Sequence, residues 1–183
     1  MNDTMKTSAK QILTILNVVC WVVFIGLLIN AGAIVFSYVV SLFIPQGANN
    51  LYEGLNLSEL KRYSTWFYTC IVSFMVAIPG LQAYLFYLVI RIFSKIDLDH
   101  PFNAQLADLI LKISHVALGT GILGIIANGY GQWLSKNGFE SADTLRHHWN
   151  GSVEFLLLAG IIFLIAQIFQ RGVEIQSEHE LTI

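Results

Sequence analysis

Four long stretches without a charged side chain constrain this sequence more than any other feature: residues 11–52, 63–90, 113–135 and 155–170. Crossing the hydrocarbon of a bilayer as a helix takes roughly 20 mostly apolar residues, and each stretch approaches or exceeds that. Only 12% of the 183 residues are charged, against about 25% in a soluble domain, and mean hydropathy is +0.63. A soluble globular domain and a disulfide-stapled secreted module are thereby excluded. Net charge is −2 with no extended basic patch, so direct nucleic-acid binding is excluded as well.

The pattern predicts an all-α fold, a four-span transmembrane helix bundle forming a single integral membrane domain over 1–183. The spans fall at approximately 12–42, 64–91, 109–134 and 153–172. Lys6 and Lys10 before an apolar run imitate a signal peptide, whose apolar region is only about 7–15 residues long. Here the run continues to Ile44, so it reads as an uncleaved span. Its 33 residues from Ile12 would reach about 50 Å as one helix, which fits a single tilted, protruding span. The connections 43–63, 92–108 and 135–152 are each too short for a core of their own. Pro79, inside the second span, removes one backbone donor and predicts a bend.

Lys and Arg near span ends set orientation. With the N-terminus inside, the inner side holds Lys6, Lys10, Arg91, Lys95, Lys112 and Arg171, and the outer side Lys61, Arg62, Lys136 and Arg146. Tyr63, Trp66, Tyr130, Trp133 and Trp149 then gather at the outer interface, where aromatic side chains concentrate. Both termini are accordingly expected in the cytoplasm.

Small residues let membrane helices approach closely. In the third span Ala117, Gly121, Gly124, Asn128, Gly131 and Ser135 recur every three or four residues, which puts them on one helix face. Gly26, Asn30, Ala33 and Ser37 form a similar line in the first span, and Thr69, Ser73, Ala77 and Gly80 in the second. The fourth has only Ala159 and Ala166. The first three spans are therefore expected to pack tightly and the fourth to dock through larger side chains. The third-span face would also serve a homodimer.

No Asp, Glu, Lys or Arg lies at the centre of a span. Proton-coupled transporters, voltage sensors and intramembrane aspartyl proteases need such residues, and small multidrug exporters need a carboxylate in their first span. Cys20 and Cys70 lie within apolar runs and form no CxxC pair, which excludes a membrane thiol oxidoreductase. No nucleophile-and-base pattern, phosphate-binding glycine loop or cofactor motif is present, so an enzyme is disfavoured. Asn17, Asn30, Gln82, Asn128 and Gln167 remain as amides at depth, each expected to hydrogen-bond across a helix contact. Outside the spans, Asp143, His147, Asn150 and Glu154 would share a face if 143–154 were helical. Asp143, His147 and Glu154 are weak candidates for a metal or proton site, and Asn150-Gly151 is a turn signal that interrupts them.

The inner connection reads RIFSKIDLDHPFNAQLADLILKI. Pro101 suits the first position of a helix, capped by Asp99 or His100 and running unbroken into the third span. The HPF motif there and the terminal RGVEIQSEHELTI resemble domain-of-unknown-function family 2975 of bacterial membrane proteins. Where the family pattern has a small residue shortly before Pro-Phe, this chain has Asp99-His100. The resemblance implies a bacterial inner-membrane protein and, as a partner, a small cytosolic helix-turn-helix regulator. It defines no active-site residues and no cofactor.

Two functions are therefore expected. The first is a non-enzymatic regulatory or stress-response partner, engaging a cytosolic protein through Phe102, Glu178, Leu181 and Ile183. The second is a binder or exporter of small-molecule or lipid-like ligands, using a cavity that joins Asn30 and Asn128.

Overall fold

The computed structural model describes residues 2–52, 54–96, 103–139, 149 and 151–180. Among them the fold is entirely helical: α1 (Asn2–Phe43), a 3-10 turn (Pro45–Asn50), α2 (Ser58–Tyr63), α3 (Thr65–Phe93), α4 (Ala104–Lys136) and α5 (Ser152–Glu180). Four helices are long and apolar enough to cross a membrane: Lys10–Phe43, Thr65–Phe93, Ala104–Lys136 and Ser152–Glu178.

Local chemistry sets the helix ends. α1 stops where Ile44 turns extended (φ −116°) ahead of Pro45, because a proline disfavours helical geometry in the residue before it. The predicted second span is preceded by a separate short helix, α2, which breaks from α3 at the extended Ser64. α3 then continues as one helix through Pro79. α4 starts at Ala104 under an Asn103 cap, whose side chain accepts the Gln105 amide hydrogen at 2.8 Å. This corrects the expected start at Pro101 under Asp99 or His100: the first donors of the helix belong to Gln105 and its neighbours, and Asn103 reaches them. At the other end Gly138 is left-handed (φ +94°). The Gly138 and Phe139 amides close back on the Ser135 and Leu134 carbonyls at 3.0 and 3.3 Å, a two-bond termination that needs a residue free of Cβ strain.

The long helices pack as a row, α1 on α3, α3 on α4 and α4 on α5, and α1 and α5 make no contact of comparable extent. Successive neighbours are antiparallel: Phe24 meets Tyr87 and Ser41 meets Tyr68, Lys95 reaches Gln105, and Ser114 reaches Ala159. The molecule thus has a loop end, with the 3-10 turn, α2 and the start of α5, and a terminal end, where α1 begins and α5 finishes.

One apolar core lies toward the loop end. It joins Ile34 of α1, Tyr68, Ile71 and Met75 of α3, Ala127 and Leu134 of α4, and Trp149. The connection between α1 and α3, too short for a core of its own, inserts Ala48, Leu51, Leu55, Leu57 and Leu60 into this shared one, none more than 3% exposed. A smaller core at the terminal end gathers Leu85 and Leu88 of α3, Leu109, Ile113 and Ala117 of α4, and Ala159 of α5. Ile12, Val22, Ile29, Phe36, Leu157, Leu164 and Ile168 are widely exposed, as helices facing lipid tails require.

Candidate functional site

The α4–α5 contact builds a concavity with polar lining at the loop end. Ala117, Gly121, Gly124 and Gly131 are buried along one face of α4, and three of the glycines mark close approaches. A Cβ at Gly121 would lie 2.7 Å from a Leu156 methyl, one at Gly131 would lie 2.8 Å from the Trp149 ring, and one at Gly124 would collide with Ser152. The partner of this face is α5 and Trp149 ahead of it, so the glycine contacts join the third and fourth spans and not the first three alone, while the fourth does dock through larger side chains, Leu156 and Trp149. The chain itself covers Gly121, Gly124 and Gly131 on this face. Physically, Trp149 ahead of α5 and Ser152 and Leu156 within it are knobs, and glycines are the holes that fit them.

Trp149 is the largest of these knobs and only 2% exposed. Its ring lies over Gly131 and edge-on to Phe74, with centroids 6.4 Å apart. It is packed inside the protein, whereas Tyr63, Trp66 and Trp133, the other interfacial aromatics expected at this end, stay exposed. Around them Phe67 meets Tyr63, Tyr130 and Trp133, and Tyr130 stacks on Trp133 at 6.0 Å. The Trp149 indole nitrogen is buried with no acceptor among the described residues. Ser152 sits in the first turn of α5 and donates to the Trp149 carbonyl at 2.8 Å.

Beside this junction runs an open groove of about 480 Å³ between Asn128 and Gln132 of α4 and Trp149, Ser152, Val153 and Glu154. Asn128 and Gln132 are one turn apart on the same face. With Glu154, exposed in the first turn of α5, they pair with no other described residue. The arrangement offers hydrogen-bond donors from two amides and a helix start, and one carboxylate.

The groove unites Asn128 with Glu154, which sequence reasoning had assigned to separate roles. Gln132 carries no expectation from sequence, and Trp149 is expected there as an interfacial aromatic and not as a helix-contact residue. The signal for Trp149 was Gly131, a gap in α4 that only a bulky neighbour fills. Asp143 and His147, the other weak metal candidates, lie outside the described residues. Gly151, left-handed at φ +93°, directly precedes α5, so Glu154 does not continue a helix from them. Among the described residues no three His, Cys, Asp or Glu side chains converge. The cavity expected to join Asn30 and Asn128 is not formed at this groove. Its walls are α4 and the start of α5, whereas Asn30 belongs to α1, which packs on α3.

Of the expected partner-binding residues, Glu178 is exposed near the end of α5, and Phe102, Leu181 and Ile183 lie outside the described residues. α5 extends the predicted fourth span as helix through Glu180, and an exposed Arg171–Glu174 ion pair (2.6 Å) straddles the predicted end of that span.

Four helices of membrane-crossing length and composition make this a multi-pass membrane protein. The chain belongs to the family described as Protein of unknown function (DUF2975), whose model matches residues 49–183. The match covers α2 to α5 and leaves α1 outside. No curated protein and no solved structure matches the chain.

Proposed function

We propose that the protein is a non-enzymatic regulatory component of a bacterial inner membrane. Both termini face the cytoplasm, and the terminal end holds a cytosolic helix-turn-helix protein. One observation carries this reading: two helices overrun their neighbours at that end. From the Phe24–Tyr87 pairing, α1 begins some 15 residues, roughly 22 Å, beyond the end of α3. From the Ser114–Ala159 bond, α5 continues about 10 residues, roughly 15 Å, past the start of α4. These arms carry polar side chains that a membrane interior would not hold, among them exposed Arg171, Glu174 and Glu178. Lys10, Arg91, Lys95, Lys112 and Arg171 cluster at the same end, which supports a cytoplasmic placement.

The test is purification of the tagged chain from its host in mild detergent, beside a variant lacking 178–183. Mass spectrometry identifies what co-purifies. A small helix-turn-helix protein is expected with the full chain alone. Equal recovery from a variant that combines the truncation with Phe102→Ala overturns the reading. Engineered single cysteines at Ser177 and Asn137 check orientation, because only the second is expected to react with an impermeant thiol reagent added outside.

A second reading, a binder or exporter of small-molecule or lipid-like ligands, is favoured by the groove at Asn128, Gln132 and Glu154.

A further inference from the structure

The geometry points to a two-fold dimer in the membrane, in which α1 of a second copy lies in the angle between α1 and α3 and pairs with the amides of Asn30 and Gln82. This is independent of both the cytosolic partner and the α4–α5 groove.

The two amides carry the inference. Each was expected to hydrogen-bond across a helix contact, yet both are half-buried with no partner among the described residues. They are deep. Asn30 is 13 residues from Phe43 and Gln82 is 11 from Phe93, about 20 and 16 Å of helix. They are also level. Counted from the Phe24–Tyr87 ring contact, Asn30 stands six residues toward the loop end and Gln82 five, about 9 and 8 Å. At such depth no water is at hand, and a polar group without a protein partner stays unsatisfied.

Both amides extend a side that is already protein interior. On α1 Asn30 shares its face with Ile34 and Ser41, and on α3 Gln82 follows Tyr68, Ile71, Met75 and Ile78 at spacings of three and four. Those residues are buried, and at the loop end the leucines between α1 and α3 join them in one core. One turn further on, the same side continues uncovered. α1 packs on α3 and on no other long helix to a comparable extent, and the terminal-end core takes no residue from α1. The most apolar 18 residues of α1 include none that is buried.

The missing cover is a membrane-crossing helix with an amide at this depth. α1 of a second copy meets both conditions by symmetry. Copies inserted the same way hold Asn30 at the same level, and a two-fold axis along the membrane normal brings one Asn30 to the other, beside Gln82. An amide both donates and accepts, so like pairs with like and both copies are satisfied at once. Acyl chains offer neither donor nor acceptor. A two-fold interface uses one surface twice, so α1 and α3 of the two copies would combine into a four-helix core with a single polar layer. Such a layer fixes the register between helices.

The test uses the full chain, fluorescently labelled at one terminus and reconstituted in phosphatidylcholine at rising dilution. Single-molecule photobleaching counts the copies in each particle, and thermal unfolding checks that each variant is folded. Dimers are expected. Asn30→Leu should weaken association about tenfold, the scale of one or two hydrogen bonds between membrane helices, and Gln82→Leu severalfold. Asn30→Gln keeps an amide and should stay within about twofold of the parent. Single cysteines, in a chain carrying Cys20→Ala and Cys70→Ala, locate the contact. Val23→Cys lies two turns from Asn30 on its face and should form an intermolecular disulfide on iodine oxidation, whereas Ile25→Cys, on the far side of α1, should not. Monomers at every dilution, undiminished association in both leucine variants, or equal cross-linking at Ile25→Cys overturns the dimer. Monomers in pure lipid that bind a different membrane protein of the host give the face to that protein, and equally overturn it.

Discussion

The two outer helix pairs of the row are joined by different means. α5 reaches α4 through missing side chains: Gly121, Gly124 and Gly131 each leave a space that Leu156, Ser152 or Trp149 fills. α1 reaches α3 through hydroxyls and rings. Ser41 and Tyr68 share a buried 2.6 Å hydrogen bond, Tyr38 and Thr69 a 3.0 Å one, and the Tyr38 and Tyr68 rings lie 5.7 Å apart. The Lys61 ammonium adds a bond from α2 to the Ser41 carbonyl. A glycine contact depends on shape and tolerates almost no added atom. A hydroxyl contact depends on partners and survives the loss of one more easily, since each bond between membrane helices contributes only about 0.6 kcal/mol on average.

That contrast can be broken by substitution. Gly124→Leu should have the largest effect, because Ser152 occupies the space and neither backbone can retreat. Little folded protein is expected on size exclusion in detergent, and a normal yield would refute the shape argument. Gly124→Ala should fold and lose about 1–3 kcal/mol, the usual range for overpacking a tight site, measured by reversible unfolding in mixed micelles. Tyr68→Phe should lose about 1 kcal/mol, since Ser41 keeps its bond to the Tyr38 carbonyl at 2.7 Å. A loss larger than that of Gly124→Ala would reverse the ranking of the two pairs. Leu157→Ala, and Gly26→Ala in α1, should lie within about 0.5 kcal/mol of the parent in the same assay. Nothing stands within 4 Å of a Cβ at Gly26.

Gly26 and Gly124 also show where sequence reading succeeds and where it stops. Hydropathy and the position of Lys and Arg locate all four long helices, because lipid demands length and apolarity whatever the neighbours are. The spacing of small residues finds a face on α4, and an equally regular line on α1. Which neighbour closes on a face depends on tertiary contact, and at Gly26 none does. The loop-end core was hidden for a related reason. Leu51, Leu55, Leu57 and Leu60 follow neither a helical nor a strand period, because they come from a turn, an extended stretch and a short helix in succession. The candidate groove was half legible. Asn128 stood out as an amide at depth and Glu154 as a carboxylate. Their proximity needed the α4 glycines to admit Trp149 and Ser152, across a connection whose conformation no local pattern specifies.

The row arrangement carries a consequence for how the molecule is made. Each long helix lies against the one that leaves the ribosome just before it, apart from the short α2 between α1 and α3. Partners therefore become available in the order of synthesis, and no helix has to wait in the bilayer with its packing face uncovered for a distant segment. Contacts between nearest neighbours in sequence close small loops and form fast. α1 can insert and remain exposed to lipid on most of its surface, α3 docks on it with α2 and its leucines, and α4 follows. The glycine face of α4 is the last to be covered, so the interval between emergence of Gly131 and arrival of Trp149 is when a wrong neighbour could take that place.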